Sequence, residues 1–117
     1  MVIARRTRPV SWIRGALQAF EEFPEGARLV CLRALTIAAE GGKADAAKPL
    51  RGMGSGVFEV ALPYQGEAFR VVYAMQLADG VWVVHAFKKK STQGIRTPAR
   101  DIRLVRDRLK ALKEMLR

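Results

Sequence analysis

Basic side chains crowd into the C-terminal part of the chain, and their chemistry suits an anionic partner. Residues 88–117 contain eleven Lys and Arg against three Asp and Glu, which gives a local net charge of +8. The whole chain of 117 residues carries +10, so the remainder is almost neutral. A charge footprint confined to one end of a small domain predicts a polyanion as partner, most commonly RNA or DNA.

The residues best suited to chemistry lie in or just after strand-like segments, which would hold them rigidly. An apolar run containing His85 leads into Lys88, Lys89 and Lys90. Arg70 lies inside another apolar run, and its planar guanidinium suits a phosphate. Such a set could cleave RNA: a base activates the ribose 2′-hydroxyl, cations stabilise the phosphorane, and an acid protonates the leaving 5′-oxygen.

Each of these residues also has a purely structural interpretation, and the sequence leaves both open. Arg70 could instead form an ion pair with Glu59 or Glu67, because a charge among residues that favour burial needs a partner. The lysines could be a solvated strand end, and His85 a packed strand residue. Since the chain has one histidine, lysines or arginines would have to share the acid–base work.

The composition argues against several other kinds of site. His85 is the only histidine and Cys31 the only cysteine, so neither a His- or Cys-based metal site nor an intramolecular disulfide is expected. The glycine-rich segment 52–56 leads into a strand, whereas a phosphate-binding loop leads into a helix. We therefore predict no metal and no small-molecule cofactor.

The elements that must position the candidate residues follow from apolar periodicity. Residues 41–48 are predicted to form a loop between a helical part and a strand part of the chain. The helical part has a short strand over 9–13, a helix over 15–23, and a helix from Pro24 to about Glu40 with Leu32, Leu35 and Ala39 on its apolar face. The strand part has strands over 57–62, 68–77 and 81–88, with a hairpin turn at Asp79-Gly80. Short links force these three strands into an antiparallel meander.

A last helix is predicted to begin with Thr97 as N-cap and Pro98 as its first residue. Its apolar stripe is Ile102, Val105, Leu109, Leu112 and Leu116. A basic stripe lies one position further on, at Arg103, Arg106, Lys110, Lys113 and Arg117. This stripe is a solvated outer face, an extension of a nucleic-acid track, or a contact for an acidic protein, and the sequence does not choose among them.

Length and hydropathy predict one α+β domain over 1–117, with a basic segment 1–8 that can fray. No stretch is long and apolar enough to span a membrane, and Arg14 interrupts the apolar run that a signal peptide would need. We expect a cytoplasmic protein without membrane contact.

Taken together, several strings resemble the RelE/ParE superfamily of bacterial toxins, and its phage-derived HigB-like branch in particular. The strings are KPLRGMGSGVFE at 48–59, FRVVY at 69–73 and HAFKKKS at 85–91, supported by Phe23-Pro24, Gly41-Gly42, Gly94-Ile95, Thr97-Pro98 and Asp101. The resemblance implies a compact RelE-like fold, in which an N-terminal helical hairpin packs on a mostly antiparallel sheet; the basic amphipathic helix described above follows it. It also implies a type II toxin: a ribosome-dependent mRNA endonuclease without metal or cofactor, paired with a helix-turn-helix antitoxin.

The resemblance also assigns roles to individual residues. Arg70 matches the arginine that contacts the scissile phosphate, and Lys90 stands where RelE has a second catalytic arginine. Arg51 lies in the shared Leu-Arg-Gly turn and is predicted to contact the RNA backbone. We add Lys48 and Lys89 as further RNA-binding candidates of our own.

The chain also departs from the family pattern. Two lysines of RelE align with Glu59 and Ala61, and its C-terminal tyrosine has no equivalent here. Our candidates for the acid and the base are therefore His85 and Lys88. The alternative is a non-catalytic binding module, either a ParE-like poison of a protein such as gyrase or a degenerate phage regulator. A nuclease should gather Arg70, His85 and the lysines in one open cleft, about the width of a single RNA strand. A binding module could instead pair Arg70 with Glu59 or Glu67 and have the lysines splayed.

Overall fold

Three helices flank a five-stranded mixed sheet in the computed structural model, which describes residues 7–89 and 96–117. The strands and helices are β1 (Val10–Trp12), α1 (Arg14–Glu21), α2 (Glu25–Ala39), β2 (Ala47–Pro49), β3 (Val57–Tyr64), β4 (Glu67–Leu77), β5 (Gly80–Lys89) and α3 (Ala99–Met115). The sheet order is β1-β5-β4-β3-β2; β1 runs parallel to β5 and every other pair is antiparallel. The predicted α+β class, helical hairpin, meander and C-terminal helix are therefore confirmed.

The helical hairpin of α1 and α2 packs on one face of the sheet and encloses the larger core. Aromatic rings link its parts: Phe20 and Phe23 lie 5.6 Å apart between centroids, and Phe23 and Phe69 of the sheet lie 4.8 Å apart. Small residues on α2, including Ala34 and Cys31, are almost fully buried and let the helix approach the strands closely. Burial also raises the pKa of the Cys31 thiol to about 12, so this thiol stays protonated.

The other face of the sheet is covered by α3, whose apolar stripe forms a second core. Val105, Leu109 and Leu112 are buried as predicted, and they pack in one cluster with Val72 and Val84 of the sheet. Where β4 pairs with β5, Val72 faces His85 but Tyr73 faces Val83, so Val84 is an extra, bulged residue. Because of the bulge, both Val84 and His85 point towards α3.

Four local predictions are wrong, each for a physical reason. The predicted loop over 41–48 contains the start of edge strand β2, which is too short to show a period. Leu32 is 43% exposed rather than part of the core, because the smaller Cys31 and Ala34 face the sheet. The hairpin turn is centred on Ala78 and Asp79, one residue early, since Leu77 pairs with Gly80. Both turn residues have positive φ, as a two-residue hairpin loop requires.

The fourth concerns the start of α3. Pro98, rather than Thr97, is the N-cap residue, and the Thr97 hydroxyl is turned to the sheet instead. Within the two described stretches, no helix is long and apolar enough to cross a membrane. Of the predicted frayed segment 1–8, residues 1–6 lie outside the described residues.

Candidate functional site

The sheet register brings charged residues of three strands together on the face that carries α3, beyond the N-terminal end of that helix. Opposite residues in paired strands share a face, and residues two positions apart stay on it. Glu59 is opposite Val72, and Val72 is opposite His85. One step along, Arg70 is opposite Phe87, so Glu59 and His85 are diagonal neighbours of Arg70, within reach of its long side chain.

Arg70 forms an ion pair with Glu59 at the centre of this group. Arg70 Nη1 lies 2.8 Å from Glu59 Oε1, and the two side chains are only 15% and 11% exposed. Thr97 Oγ1 donates to the other carboxylate oxygen at 2.7 Å. Arg70 Nε is buried and has no hydrogen-bond partner among the described residues. The guanidinium therefore keeps an unused donor, and Glu59 is held on both of its oxygens.

Lys89 lies beside this pair and completes what we call the sheet cluster: Glu59, Arg70 and Lys89. Lys89 is opposite Ala68, which makes it a diagonal neighbour of Arg70, and it is only 3% exposed. Burial lowers the pKa of Lys89, and the positive charge of Arg70 lowers it further, while the carboxylate of Glu59 opposes both. The lowered pKa makes Lys89 a better proton donor than an exposed lysine.

His85 lies next to the sheet cluster but is held by α3. His85 Nε2 and Asp101 Oδ1 are 2.8 Å apart, and both side chains are buried. Arg108 Nη1 donates to the Val84 carbonyl at 2.8 Å and approaches His85 Nδ1 at 3.4 Å. We call His85, Asp101 and Arg108 the α3 anchor, because together they tie the helix to the bulge in β5.

The surroundings of His85 keep its ring neutral. Burial lowers the pKa of His85 and outweighs the hydrogen bond and charge of Asp101, which raise it; Arg108 lowers it as well. In the neutral ring, Nε2–H donates to Asp101 and Nδ1 accepts from Arg108, an assignment that follows from the partners. The ring also stacks on Phe87 at 4.9 Å between centroids.

The remaining predicted residues lie in different places. Lys88 is opposite Phe69, whose ring packs in the core of the helical hairpin, so Lys88 extends from the other face. There its Nζ lies 2.7 Å from Glu67 Oε1, and both side chains are about half exposed. Lys48 is exposed and opposite Glu59, on the face of the sheet cluster. Lys90, predicted as a second catalytic cation, lies outside the described residues.

Arg51 follows β2 and is exposed at the glycine turn, where Leu50 N–H donates to the Val57 carbonyl at the start of β3. A Cβ placed on the adjacent Gly52 would lie 4.0 Å from Arg106 Nη2, so the turn and the basic stripe of α3 are neighbours. The structure thus gathers Arg70, Lys89, His85 and Lys48 on one face, and separates Arg51 and Lys88 from them.

Sequence reasoning missed Glu59, Thr97, Asp101 and Arg108 as members of this site. The sequence held a signal for Glu59, because strand alternation places it on the same face as Ala61. Sequence reasoning treated Glu59 only as an ion-pair partner of Arg70. Asp101 and Arg108 occupy positions on α3 seven residues apart, which is two turns of one helix face. Within the parts of the chain that the structure describes, no group of His, Cys, Asp and Glu is arranged to hold a metal ion.

The cluster has the parts for phosphoryl transfer within one small region. Glu59 is a proton acceptor, Lys89 a proton donor, and Arg70 between them can stabilise charge on a phosphate. Phe87, which is partly exposed beside Arg70, offers a ring on which a base could stack.

Comparisons with known proteins indicate the family to which the chain belongs. A model of the phage-derived Gp49-like protein family matches residues 18–110, most of the chain. The chain belongs to this family. Among solved structures, the toxin RelE of E. coli, a double-arginine mutant in the free state, is similar with a TM-score of 0.61. The match covers 91% of this chain and 98% of RelE at 18% identity. No curated protein matches the chain.

The two matches agree with each other. The Gp49-like family is a family of RelE-like toxins, and the RelE structure has the same fold, so the predicted RelE/ParE superfamily is confirmed. Membership of this toxin superfamily implies an antitoxin as protein partner.

Proposed function

We propose that the chain is the toxin of a type II toxin–antitoxin pair, of the HigB-like kind, that cleaves mRNA on the ribosome and so inhibits translation. The observation that carries the proposal is the position of Arg70 between the Glu59 carboxylate and the buried ammonium of Lys89 on one face of the sheet. A guanidinium flanked by an acceptor and a donor supplies the three functions that RNA cleavage by the 2′-hydroxyl requires.

The reaction would proceed by in-line displacement at phosphorus. Glu59 takes the proton of the ribose 2′-hydroxyl as the bond from O2′ to phosphorus forms. Arg70 and Lys89 stabilise the negative charge of the phosphorane. As the bond to O5′ breaks, Lys89 gives its proton to that oxygen, which leaves a 2′,3′-cyclic phosphate and a 5′-hydroxyl. Exchange with solvent then restores both side chains.

Substrate binding would have to replace existing contacts. The phosphate competes with Glu59 for Arg70, so this largely covered ion pair has to open when the substrate binds. The unpartnered Nε of Arg70 provides a further donor once the guanidinium turns. His85 and Lys88 remain predictions as acid and base. We favour Glu59 and Lys89 because both ring nitrogens of His85 face α3 and Lys88 lies on the opposite face.

A second candidate function is a binding module without catalysis, such as a ParE-like poison of gyrase or a phage regulator. The ion pair between Arg70 and Glu59 favours it, since this pairing is the arrangement that a purely structural arginine would adopt. The position of Lys89 favours the nuclease, because it places a second cation with a lowered pKa beside Arg70 on the same face of the sheet.

Induced expression in a bacterial host tests the proposal, with growth followed in parallel with primer extension on a reporter mRNA. We expect the native chain to stop growth and to produce cuts inside translated codons. Arg70→Ala and Glu59→Gln should each abolish the cuts, because one loses the phosphate contact and the other the base. Arg33→Ala, a matched change at an exposed arginine of α2, should cut like the native chain.

Growth arrest with intact message would contradict the nuclease and favour the protein-binding alternative. Cuts that persist in Glu59→Gln but not in Arg70→Ala would keep the nuclease and return the base to His85. If the native chain caused neither growth arrest nor cuts, the phage regulator would be the remaining function.

A further inference from the structure

One surface of the molecule is not used by the proposed reaction: the exposed side of α3 and the glycine turn beside it. Three depressions follow each other along this side, and we call them together the α3 groove. From its charge and shape we propose that the α3 groove binds the phosphate backbone of duplex RNA, as a second RNA site separate from the sheet cluster.

The positive charges of the groove are exposed to solvent. Arg103, Arg106, Lys110 and Lys113 recur every three or four residues on the solvent side of α3 and are all exposed. No ion pair among the described residues includes any of the four. Asp107 and Glu114 lie on the same helix but form no ion pair with these four residues in the described part of the chain. The stripe therefore keeps a net positive charge, which makes it an electrostatic site for phosphates.

The depressions form one continuous path. The first, about 680 Å³, is lined by Arg96, Arg103 and Arg106 at the start of α3. The second, about 230 Å³, shares Arg106 with the first and also contacts Gly52, Met53 and Lys110. The third, about 380 Å³, shares Leu109 and Lys113 with the second and reaches Gly54–Val57. Arg106 is thus central to the path, against the turn that follows Arg51.

The lining of the groove favours a backbone over bases. None of the residues that line the three depressions is aromatic, and proteins that bind single strands use aromatic rings as stacking platforms. Double-stranded RNA is recognised mostly through its shape and its phosphates. Steps of three or four helical residues rise by roughly 5 Å, close to the spacing of successive phosphates along a strand. The sheet cluster, with Phe87 beside Arg70, has the opposite character and suits a single strand.

The inference rests on the proposed function only in taking RNA as the target of the toxin. A toxin that cuts message on the ribosome meets structured RNA around a single-stranded substrate. The α3 groove and the sheet cluster would then divide the two tasks: the groove holds the protein on structured RNA, and the cluster acts on the message.

Binding to a labelled 2′-O-methyl RNA duplex of about 16 base pairs, followed by fluorescence anisotropy at several salt concentrations, tests this inference. The 2′-O-methyl groups block cleavage, and Arg70→Ala in all proteins permits their expression. Four phosphate contacts predict that the logarithm of the binding constant falls with the logarithm of the salt concentration with a slope of about −3 to −4. The double variant Arg106→Ala/Lys110→Ala should lower the slope by about 2 and weaken the Kd about 30-fold at 0.15 M salt.

The control is Arg14→Ala/Arg33→Ala, which removes the same charge from exposed positions on the helical hairpin. It should keep the slope and bind within about threefold of its parent, because neither arginine lines the α3 groove. A single strand of the same sequence should bind more weakly than the duplex. Its affinity should also fall less in the double variant Arg106→Ala/Lys110→Ala.

Three results would overturn the inference. Equal duplex affinity of the two double variants would remove the groove as a site, and equal losses on duplex and single strand would remove its preference for duplexes. Loss of antitoxin binding in Arg106→Ala/Lys110→Ala with duplex binding intact would assign the groove to a protein. A failed nuclease proposal would show separately, as intact message in the expression experiment.

Discussion

Arg70 shows how one residue can serve folding and chemistry. In the free protein its guanidinium is held by Glu59, which neutralises a charge that lies among apolar strand residues. A second cation, Lys89, lies beside the pair; burial and the charge of Arg70 lower its pKa, and the carboxylate of Glu59 raises it. At the residue scale, the sheet cluster contains two cationic side chains and one carboxylate, and a bound phosphate would balance the second positive charge.

The two neighbouring lysines of β5 give the sharpest test at this scale. Lys89→Met removes the charge and keeps an apolar stem, so we expect cleavage to fall by about 100-fold or more, as on loss of a group that stabilises the transition state. Urea denaturation of the same variant checks that it remains folded, so that the loss of cleavage is not a loss of structure. Lys88→Met should have a much smaller effect on cleavage, since Lys88 pairs with Glu67 on the opposite face.

Primer extension and urea denaturation of the two variants provide the measurements. A larger loss of cleavage in Lys88→Met than in Lys89→Met would instead restore Lys88 as the proton carrier and reject our assignment.

At the scale of elements, α3 depends on a few contacts with the sheet. Its buried stripe supplies the apolar part, and the α3 anchor supplies the polar part through His85 and the Val84 carbonyl. Asp101 also lies in the first turn of α3, where a negative charge is favourable next to the helix N-terminus. The anchor therefore fixes the end of α3 that borders the sheet cluster.

Asp101→Ala should destabilise the protein by about 1.5–3 kcal/mol, because it breaks a buried, charge-assisted hydrogen bond and leaves His85 Nε2–H without an acceptor. Asp107→Ala, the matched change at an exposed position of the same helix, should alter the free energy of unfolding by no more than about 0.5 kcal/mol. Urea denaturation of both variants measures the difference. Equal stabilities of the two would mean that the anchor does not hold α3.

At the scale of the whole molecule, the two faces of the sheet carry different duties. The face with α1 and α2 holds the larger core, whereas the face with α3 combines a smaller core with the sheet cluster, the α3 anchor and the α3 groove. The buried His85 of the anchor makes global stability depend on pH, because its neutral form is the one that fits between Asp101, Arg108 and the more distant Glu59.

The sign of this dependence follows from the lowered pKa of His85. Above its ordinary pKa of 6.5, the histidine is neutral in both folded and unfolded chains and contributes nothing. Below 6.5 the unfolded chain takes up the proton first, so the free energy of unfolding falls. The fall approaches about 1.4 kcal/mol per pH unit until the folded pKa is reached.

Urea denaturation at pH 7.5 and 5.5 measures this effect in the native chain and in His85→Gln, which cannot titrate. We expect the free energy of unfolding to fall more in the native chain than in the variant between the two pH values, because the pKa of His85 is lowered by burial in the folded state. An equal loss in both proteins would mean that other groups account for the pH dependence and that His85 is not held neutral.

The sequence by itself determined the elements and their broad arrangement. Alternation in the strands and the helical period of residues 102–116 are local patterns, and short links allowed only an antiparallel meander for β3, β4 and β5. The pattern failed where it was too short, as in β2, or where small side chains replaced large ones, as at Cys31 in α2. Charge on α3 and its position beside an apolar stripe were also visible in the sequence.

Only the tertiary structure decided which charged residues meet. Glu59 reaches Arg70 because of the register of β3 on β4, and Lys89 rather than Lys88 joins them because alternation sends neighbouring residues to opposite faces. A bulge at Val84 turns His85 towards α3, where Asp101 accepts a hydrogen bond from its ring. Register, bulges and helix docking depend on contacts between residues far apart in the chain, so no local pattern contains them.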